Sequence, residues 1–360
     1  MKKLIRVLHL YRMMWGKNRD IKRKRKYIWG CASQNIQSMD LQPLSKNEYN
    51  EVQKVWGCLG LKPYTWYYQL FKTIDEFNPL YLSEDLYYPV IVRALNPQRY
   101  MYAFSHKGLF PIIYGCIKQP DIIVICNNGV FFNSNFEVVD TSEMIKLLQG
   151  SNNYIIKPTI DTSRGKGVRL VKNGCDEDVQ NLLCEYGNNW IVQKAVEQSG
   201  LTAQFNPSSL NTFRFTTLFI NGRASTQSIV LKAGGSGSIV DNLSAGGYFV
   251  GVRNSGQLRE FGIDKKYCKS KKSASGVEWG SVKIEKVSEI ADQMAFFHRR
   301  YMPSMGIVGW DVALDVNNQP IVIEANIINP GILFTQLANS TPIFGERTEE
   351  VVQYVVKKNM

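Results

Sequence analysis

Residues 307–331 read IVGWDVALDVNNQPIVIEANIINPG. Two apolar runs, Val308–Val316 and Pro320–Ile327, flank Asn317-Asn318. Asn tolerates the positive φ of tight turns, so the pattern predicts an antiparallel hairpin. With the turn centred between the two asparagines, facing residue numbers sum to 635, which sets Asp311 opposite Glu324. Side chains alternate along a strand, so Asn326 shares the face of Glu324. Two carboxylates and an amide oxygen thus converge on one face of an otherwise apolar hairpin. Neighbouring buried carboxylates are costly unless a cation neutralises them. The donor set suits Mg2+, a hard cation that shares its coordination shell with phosphates. The plainer alternative is a solvated strand face with scattered acids.

Upstream, NTFRFTTLF (211–219) alternates, with Asn211, Phe213, Phe215 and Thr217 on one face and Thr212, Arg214 and Thr216 on the other. A lone Arg in a strand is usually a rim residue; it gains meaning if its face also carries the acidic hairpin. A second strand is predicted at Ser228–Lys232, followed by GGSGSIVDNLSAGGYFVGV (234–252). So many glycines point to backbone closely approaching a ligand or another chain segment, or to a flexible loop. Residues 285–302 read as a helix stopped near Pro303, with His298 in a packing or capping role.

YIIKP (154–158) predicts a short strand ending in Lys157, and Arg169–Lys172 a second. Between them Gly165 and Gly167 bracket Lys166. Such a loop lets backbone N–H groups approach phosphate oxygens, with Lys157 as a fixed charge; an ordinary hairpin has the same appearance. Neither GxxxxGK[ST] nor GxGxxG is present. A helix is predicted at 177–186, then a strand at 190–196 whose backbone could read an adenine edge or simply serve a sheet. Earlier, residues 45–75 read as helical, 121–126 and 130–132 as strands about Asn127-Asn128-Gly129, and 141–148 as a helix capped by Thr141 or Ser142.

At 360 residues and 44% hydrophobic, the chain has material for two or three domains with real cores. A net charge of +12 favours an anionic partner. Seven scattered cysteines without a CxxC pair argue against a disulfide framework or a zinc site and for a reducing compartment. Three histidines far apart leave little for a Ser-His-Asp site. No apolar run reaches the ~18 residues of a membrane span, and charges interrupt any signal-peptide core. Residues 1–26 hold eleven Lys or Arg against one acid, Asp20, with Leu4, Val7, Leu8, Tyr11, Met14 and Trp15 at helical spacing. Two readings stand: a basic amphipathic helix in peripheral contact with the inner membrane face, or a helix docked on its own protein with a solvated basic side. Lys22–Lys26 lacks aromatic interleaving, so no nucleic-acid partner is expected.

The order of these features resembles the ATP-grasp superfamily. NPSSLNTFRFTTL (206–218), VDNLSAGGYFVGV (240–252), GWDVALD (309–315) and IEANIINPG (323–331) are similar to the signatures of its sugar-transfer-associated group, over roughly residues 100 to 345. The resemblance implies an α+β ATP-grasp fold, two α+β lobes clasping a nucleotide, after a mostly helical N-terminal region. The implied divisions are a helical basic region 1–75, an α/β subdomain 76–142, a lid 143–197 and a catalytic lobe 198–360. It implies ATP and Mg2+ as cofactors, with Lys107, Lys157, Ser163, Gly165, Lys166, Gly167, Gln193, Lys194, Val196 and Glu197 toward ATP, and Asp311, Glu324 and Asn326 as metal ligands. Arg214, Lys232 and Asn326 take catalytic places, and Asn211, Asp241, Asn242, Gly246 and Gly247 substrate-binding ones. His106 stands where relatives usually have Asp, and Lys232 where they usually have Arg. The implied activity is a cytoplasmic carboxylate-amine ligase acting through an acyl phosphate, joining an amine or amino acid to a uronic acid in surface polysaccharide synthesis. A kinase acting on a hydroxyl and a non-catalytic nucleotide-binding protein are the alternatives. Replacing Asp311 or Glu324 by Ala is expected to abolish activity and leave the fold.

Overall fold

The structure is a computed structural model that describes residues 19–33, 36–160, 166–172, 185–238, 241 and 243–359. The chain forms two compact units: one from residues 98–330, the other from both ends, 1–97 and 331–360.

The unit of the two ends is helical, which the sequence led one to expect for its N-terminal part. Residues 19–33 are helical, and residues 1–18 lie outside the described set. Lys46–Trp56 starts on a capping box: Ser45 Oγ accepts from Glu48 N (3.2 Å), and Glu48 Oε2 from Ser45 N (2.7 Å). Thr65–Ile74 buries Trp66, Tyr67, Tyr68, Leu70 and Phe71. Thr348–Asn359 closes the same core, burying Val351, Val352 and Val355. Gln336 ties this closing segment to the first: its amide donates to Leu82 O (2.9 Å) and accepts from Leu82 N (3.0 Å) and Ile343 N (3.2 Å).

The unit of residues 98–330 holds two antiparallel sheets. The first comprises β1 (Ile122–Asn127), β2 (Val130–Phe132), β3 (Val138–Val139), β4 (Asn153–Pro158), β5 (Arg169–Lys172) and β6 (Asn189–Lys194), in the order β3-β2-β1-β6-β4-β5. Asn128 (φ 51°) and Gly129 (φ 80°) form the two-residue turn expected between β1 and β2. The helix Thr141–Gln149 packs Met144 and Leu148 onto Val124, Tyr154 and Trp190 of this sheet. Its cap is Asp140, not Thr141 or Ser142: Asp140 Oδ1 accepts from Glu143 N at 2.8 Å. β6 ends at Lys194, two residues short of expectation. The helix expected at 177–186 falls largely outside the described residues.

The second sheet comprises β7 (Thr212–Ile220), β8 (Arg223–Ala233), β9 (Tyr248–Val252), β10 (Leu258–Ile263), β11 (Lys269–Ser270), β12 (Ile307–Leu314) and β13 (Pro320–Asn326), in the order β11-β10-β9-β8-β7-β12-β13. β8 starts five residues before the expected Ser228, across a second two-residue turn, Asn221-Gly222, both at positive φ. Its first half, RASTQ, is polar and half-exposed, so no apolar alternation announces it. The helix Val287–Tyr301 packs on β7 and β8. His298, buried near its end, is within 2.8 Å of Thr217 Oγ1 and 2.9 Å of Met305 O, so it both packs and caps.

The β12–β13 hairpin differs from expectation in a way that cancels. Its loop spans Asp315–Gln319, with Asn318 alone at positive φ (58°) and the Asp315 carboxylate accepting from Asn317 N and Gln319 N. Leu314 therefore pairs with Pro320, one step off the register predicted from the sequence. A bulge between Val322 and Glu324 inserts Ile323 and restores the step, so Asp311 faces Glu324 after all.

Candidate active site

Three neighbouring strands set a row of charged side chains. Arg214 on β7 pairs with Asp311 on β12, which pairs with Glu324 on β13. Side chains directly opposite on adjacent strands lie ~5 Å apart, so the row is continuous. The Arg214 face expected from alternation is thus the face of the acidic hairpin. Thr212, two residues from Arg214, pairs with Lys232 on β8 and brings it to the same face.

Asp311 is the hub. Arg214 grips it bidentately, Nε to Oδ1 and Nη2 to Oδ2 (2.9 Å). Lys232 Nζ lies 3.2 Å from the same Oδ2 and 3.3 Å from Asp241 Oδ2. The Thr212 hydroxyl donates to Asp241. Asn326 Nδ2 sits 3.3 Å from both Asp311 Oδ2 and Glu324 Oε1. Lys107 Nζ approaches Glu324 Oε2 at 3.8 Å. Burial by itself would raise the Asp311 carboxyl, but Arg214 and Lys232 outweigh it and hold it well below the usual range. Burial works against Lys232 too, yet Asp241 and Asp311 keep its ammonium above its ordinary value. Asp241 is pushed up, chiefly by burial and also by Asp311, against the pull of Lys232. Lys157, buried on β4, is lowered to about 8 by desolvation; Glu324 opposes that shift and Lys107 adds to it.

The three side chains expected to hold a metal do converge. One amide reaches both carboxylates, and turning it presents Oδ1 in place of Nδ2, since the two ends are assigned by their hydrogen bonds. Two carboxylates and an amide oxygen fit Mg2+. Among the described residues no group of three or more His, Cys, Asp or Glu is placed to hold a metal ion, so the donor set rests on the two carboxylates and the amide. The sequence did not reveal that Asp311 is also neutralised by two cations from strands β7 and β8.

The other expected positions are spread more widely. Lys107 N donates to Thr159 O (2.9 Å), bringing that loop against the end of β4. Ser163, Gly165 and Asn242 lie outside the described residues. Lys166 and Gly167 are exposed; Gly167 takes φ +75°, and a Cβ on it would press on the Pro158 ring, 3.0 Å from Cγ. Tyr186 OH donates to Gly167 O (2.8 Å). Gln193 is buried on β6 and donates to Pro120 O (3.2 Å), Lys194 pairs with Asp121, Val196 is half-buried and Glu197 exposed. Asn211 lies on the face opposite Arg214. Its amide is spent on Thr202 O, Asn206 O, Gln198 Oε1 and Gly234 N, knitting the turn before β7. The glycine-rich segment approaches its own chain: a Cβ on Gly235 would fall 2.6 Å from the backbone of Ala245 and Gly246, and Gly247 beside them is buried. Gly309 and Thr212 were not singled out from sequence. A Cβ on Gly309 would stand 3.1 Å from Arg214 Cδ, so this glycine makes the space in which the guanidinium lies. The alternation of β7 already placed Thr212 beside Arg214; nothing local marked Gly309.

The profile of the sugar-transfer-associated ATP-grasp family matches residues 90–353. The chain belongs to this family. No curated protein matches this chain. Solved structures similar to it include an L-amino acid ligase from Bacillus licheniformis (13% identity, 71% of this chain and 48% of that one, TM-score 0.40). Others are a D-alanine-D-alanine ligase from Coxiella burnetii (12%, 71% and 57%, 0.40) and the VanG D-Ala:D-Ser ligase from Enterococcus faecalis (13%, 75% and 63%, 0.43). The chain thus spans about half the length of the first and under two thirds of the others. Likeness at that level says nothing of substrate or chemistry.

Proposed function

We propose that this protein is an ATP-dependent carboxylate-amine ligase. The observation that carries the reading is the paired row Arg214–Asp311–Glu324, with Lys232, Lys107 and Lys157 around it. Four cations about two acids suit a polyanion accompanied by a divalent ion, and ATP with Mg2+ is that combination. Mg2+ held by Asp311, Glu324 and Asn326 would supply neutralisation of phosphate charge. Lys107 and Lys157 would offer positive charge to the nucleotide phosphates. The end of β6 and the residues after it, Gln193 to Glu197, would flank the adenine and ribose. Lys232 and Asp241, with Gly246 and Gly247 of the glycine-rich segment, would border the acceptor, whereas Asn211 is committed to the turn before β7.

A substrate carboxylate oxygen attacks the γ-phosphorus, its bond to the bridging oxygen breaks, and ADP leaves. The amine nitrogen then attacks the acyl carbon, phosphate leaves with the bonding pair, and the amine sheds a proton. Arg214 stabilises the negative charge of both steps. This chemistry needs positioning and positive charge more than a general base. Residues 143–197 act as a lid that keeps water from the acyl phosphate.

The family's association with sugar transfer supports a uronic acid as the carboxylate and an amine or amino acid as its partner, in surface-polysaccharide synthesis in the cytoplasm. Release of ADP, followed across a panel of uronic acids and amines with mass detection of the product, tests this. Amine-dependent release with an amide product is the expected outcome. Amine-independent release with a phosphorylated sugar would instead establish a kinase, and nucleotide binding without turnover a non-catalytic role.

A further inference from the structure

The net charge does not belong to the site just described. Residues 1–26 hold eleven basic residues and one acid, which is all but two of the twelve net charges. The described part of this segment, the helix of residues 19–33, has two distinct faces. The inward face is committed to its own unit. Ile28 and Ala32 are buried there. Arg25 donates to Asp85 Oδ2 (2.7 Å) and Lys62 O (2.6 Å) and lies over the Tyr64 ring. Lys24 lies over the Tyr88 ring, 5.5 Å from its centroid. These contacts fix the rotation of the helix, so its outward face is defined.

That outward face carries Lys22, Arg23 and Lys26, all exposed, with Asp20 as the opposing acid, 3.6 Å from Arg23. At 100° per residue the three cations fall within about one quadrant. Tyr27, 68% exposed, flanks them on one side, and Trp29, 39% exposed and resting on Tyr64 and Trp66, on the other. The chain before the helix adds five Lys or Arg and no acid between residues 1 and 18. The face of Leu4 to Trp15 read from the sequence lies outside the described residues, but the helix that follows docks on its own unit and keeps a basic side outward.

We propose that this outward face is a docking surface for an anionic lipid membrane. Cations at the centre with amphipathic aromatics at the flanks is the composition of an interfacial helix, in which rings settle at headgroup level beside lipid phosphates. A track for nucleic-acid phosphates would draw on the cations and have no use for flanking rings without base stacking between them. Contact is peripheral, since no helix among the described residues is long and apolar enough to cross a membrane. The proposal does not depend on the ligase reading.

Co-sedimentation of the full chain with phosphatidylcholine vesicles, with and without about a quarter phosphatidylglycerol, tests it. Binding is expected to the anionic vesicles alone and to fall steeply with salt, because the Debye length shrinks to about 3 Å at molar ionic strength. The triple variant K22Q/R23Q/K26Q should lower partitioning about a hundredfold, from the loss of three near-surface cations. Tyr27→Ser should lower it several-fold with all cations kept. Unchanged thermal melts show that both variants fold. Equal binding to neutral vesicles, undiminished binding by the triple variant, or a preference for a single- or double-stranded oligonucleotide over anionic vesicles would each overturn the proposal. No turnover is measured, so its failure is separate from failure of the enzymatic reading.

Discussion

Asp311 and Glu324 face each other across two strands but stand in different surroundings. Asp311 is 3% exposed and neutralises two buried cations. The Glu324 side chain is 35% exposed, with one loose ion pair to Lys107. The alanine test suggested by the sequence therefore divides. Asp311→Ala would strand Arg214 without its counter-charge and leave Lys232 with Asp241 alone, at a cost of about 3–5 kcal/mol, so the expectation of an intact fold does not hold for it. Glu324→Ala gives up a solvent-screened pair worth about 1 kcal/mol or less. Asp311→Asn keeps shape and most hydrogen bonds. We expect Asp311→Asn and Glu324→Ala to lose ATP turnover, with Glu324→Ala melting within a few degrees of the parent. Full turnover by either would remove the metal site from the mechanism. Lys232 is shared by Asp311 and Asp241, so it joins the glycine-rich segment to the hub, a link that no spacing in the sequence expresses.

At the scale of elements, the sheet bearing the row is held from behind. Trp310 Nε1 donates to Thr217 Oγ1 (2.9 Å), which meets His298, which in turn meets Met305 O. Burial lowers His298 to about 4, and the bond to Met305 opposes that only in part. The unfolded chain, with an ordinary imidazole near 6.5, takes up the proton first as pH falls. Between about 6.5 and 4 it binds more protons than the folded state, so stability drops on acidification across that window, by at most about 3 kcal/mol. Urea titrations at pH 7 and pH 4.5 should show the loss in the parent and a flatter dependence in His298→Gln; identical slopes would remove His298 as the cause. The hairpin at Asn128-Gly129 was legible because apolar runs flank its Asn-Gly, whereas the equal turn at Asn221-Gly222 was hidden by the polar start of β8. The β12–β13 loop was misjudged by one residue because Asn318 alone takes the left-handed conformation. A bulge is set by how Ile323 packs in the finished sheet, and no local pattern predicts it.

For the whole molecule, the unit of residues 1–97 and 331–360 closes through Gln336, whose amide serves three backbone groups of Leu82 and Ile343. Gln336→Leu would leave these buried groups unpaired. Each costs about 1–3 kcal/mol, so we expect a loss of several kcal/mol in denaturant titration, with a shift within a degree or two of the parent sinking the account. Charge is equally uneven at this scale: composition alone attached +12 to the whole chain, whereas nearly all of it lies in residues 1–26. What the sequence determined by itself was the alternation that sets Arg214 on one face of its strand and gathers Asp311, Glu324 and Asn326 on one face of the hairpin, and the family, because these follow from periodicity and signature within short windows. What only the tertiary structure decided was the company of those side chains. Arg214 and Lys232 are 97 and 79 residues from the carboxylate they neutralise. Pairing across strands so distant depends on register and on bulges, which the packed sheet sets.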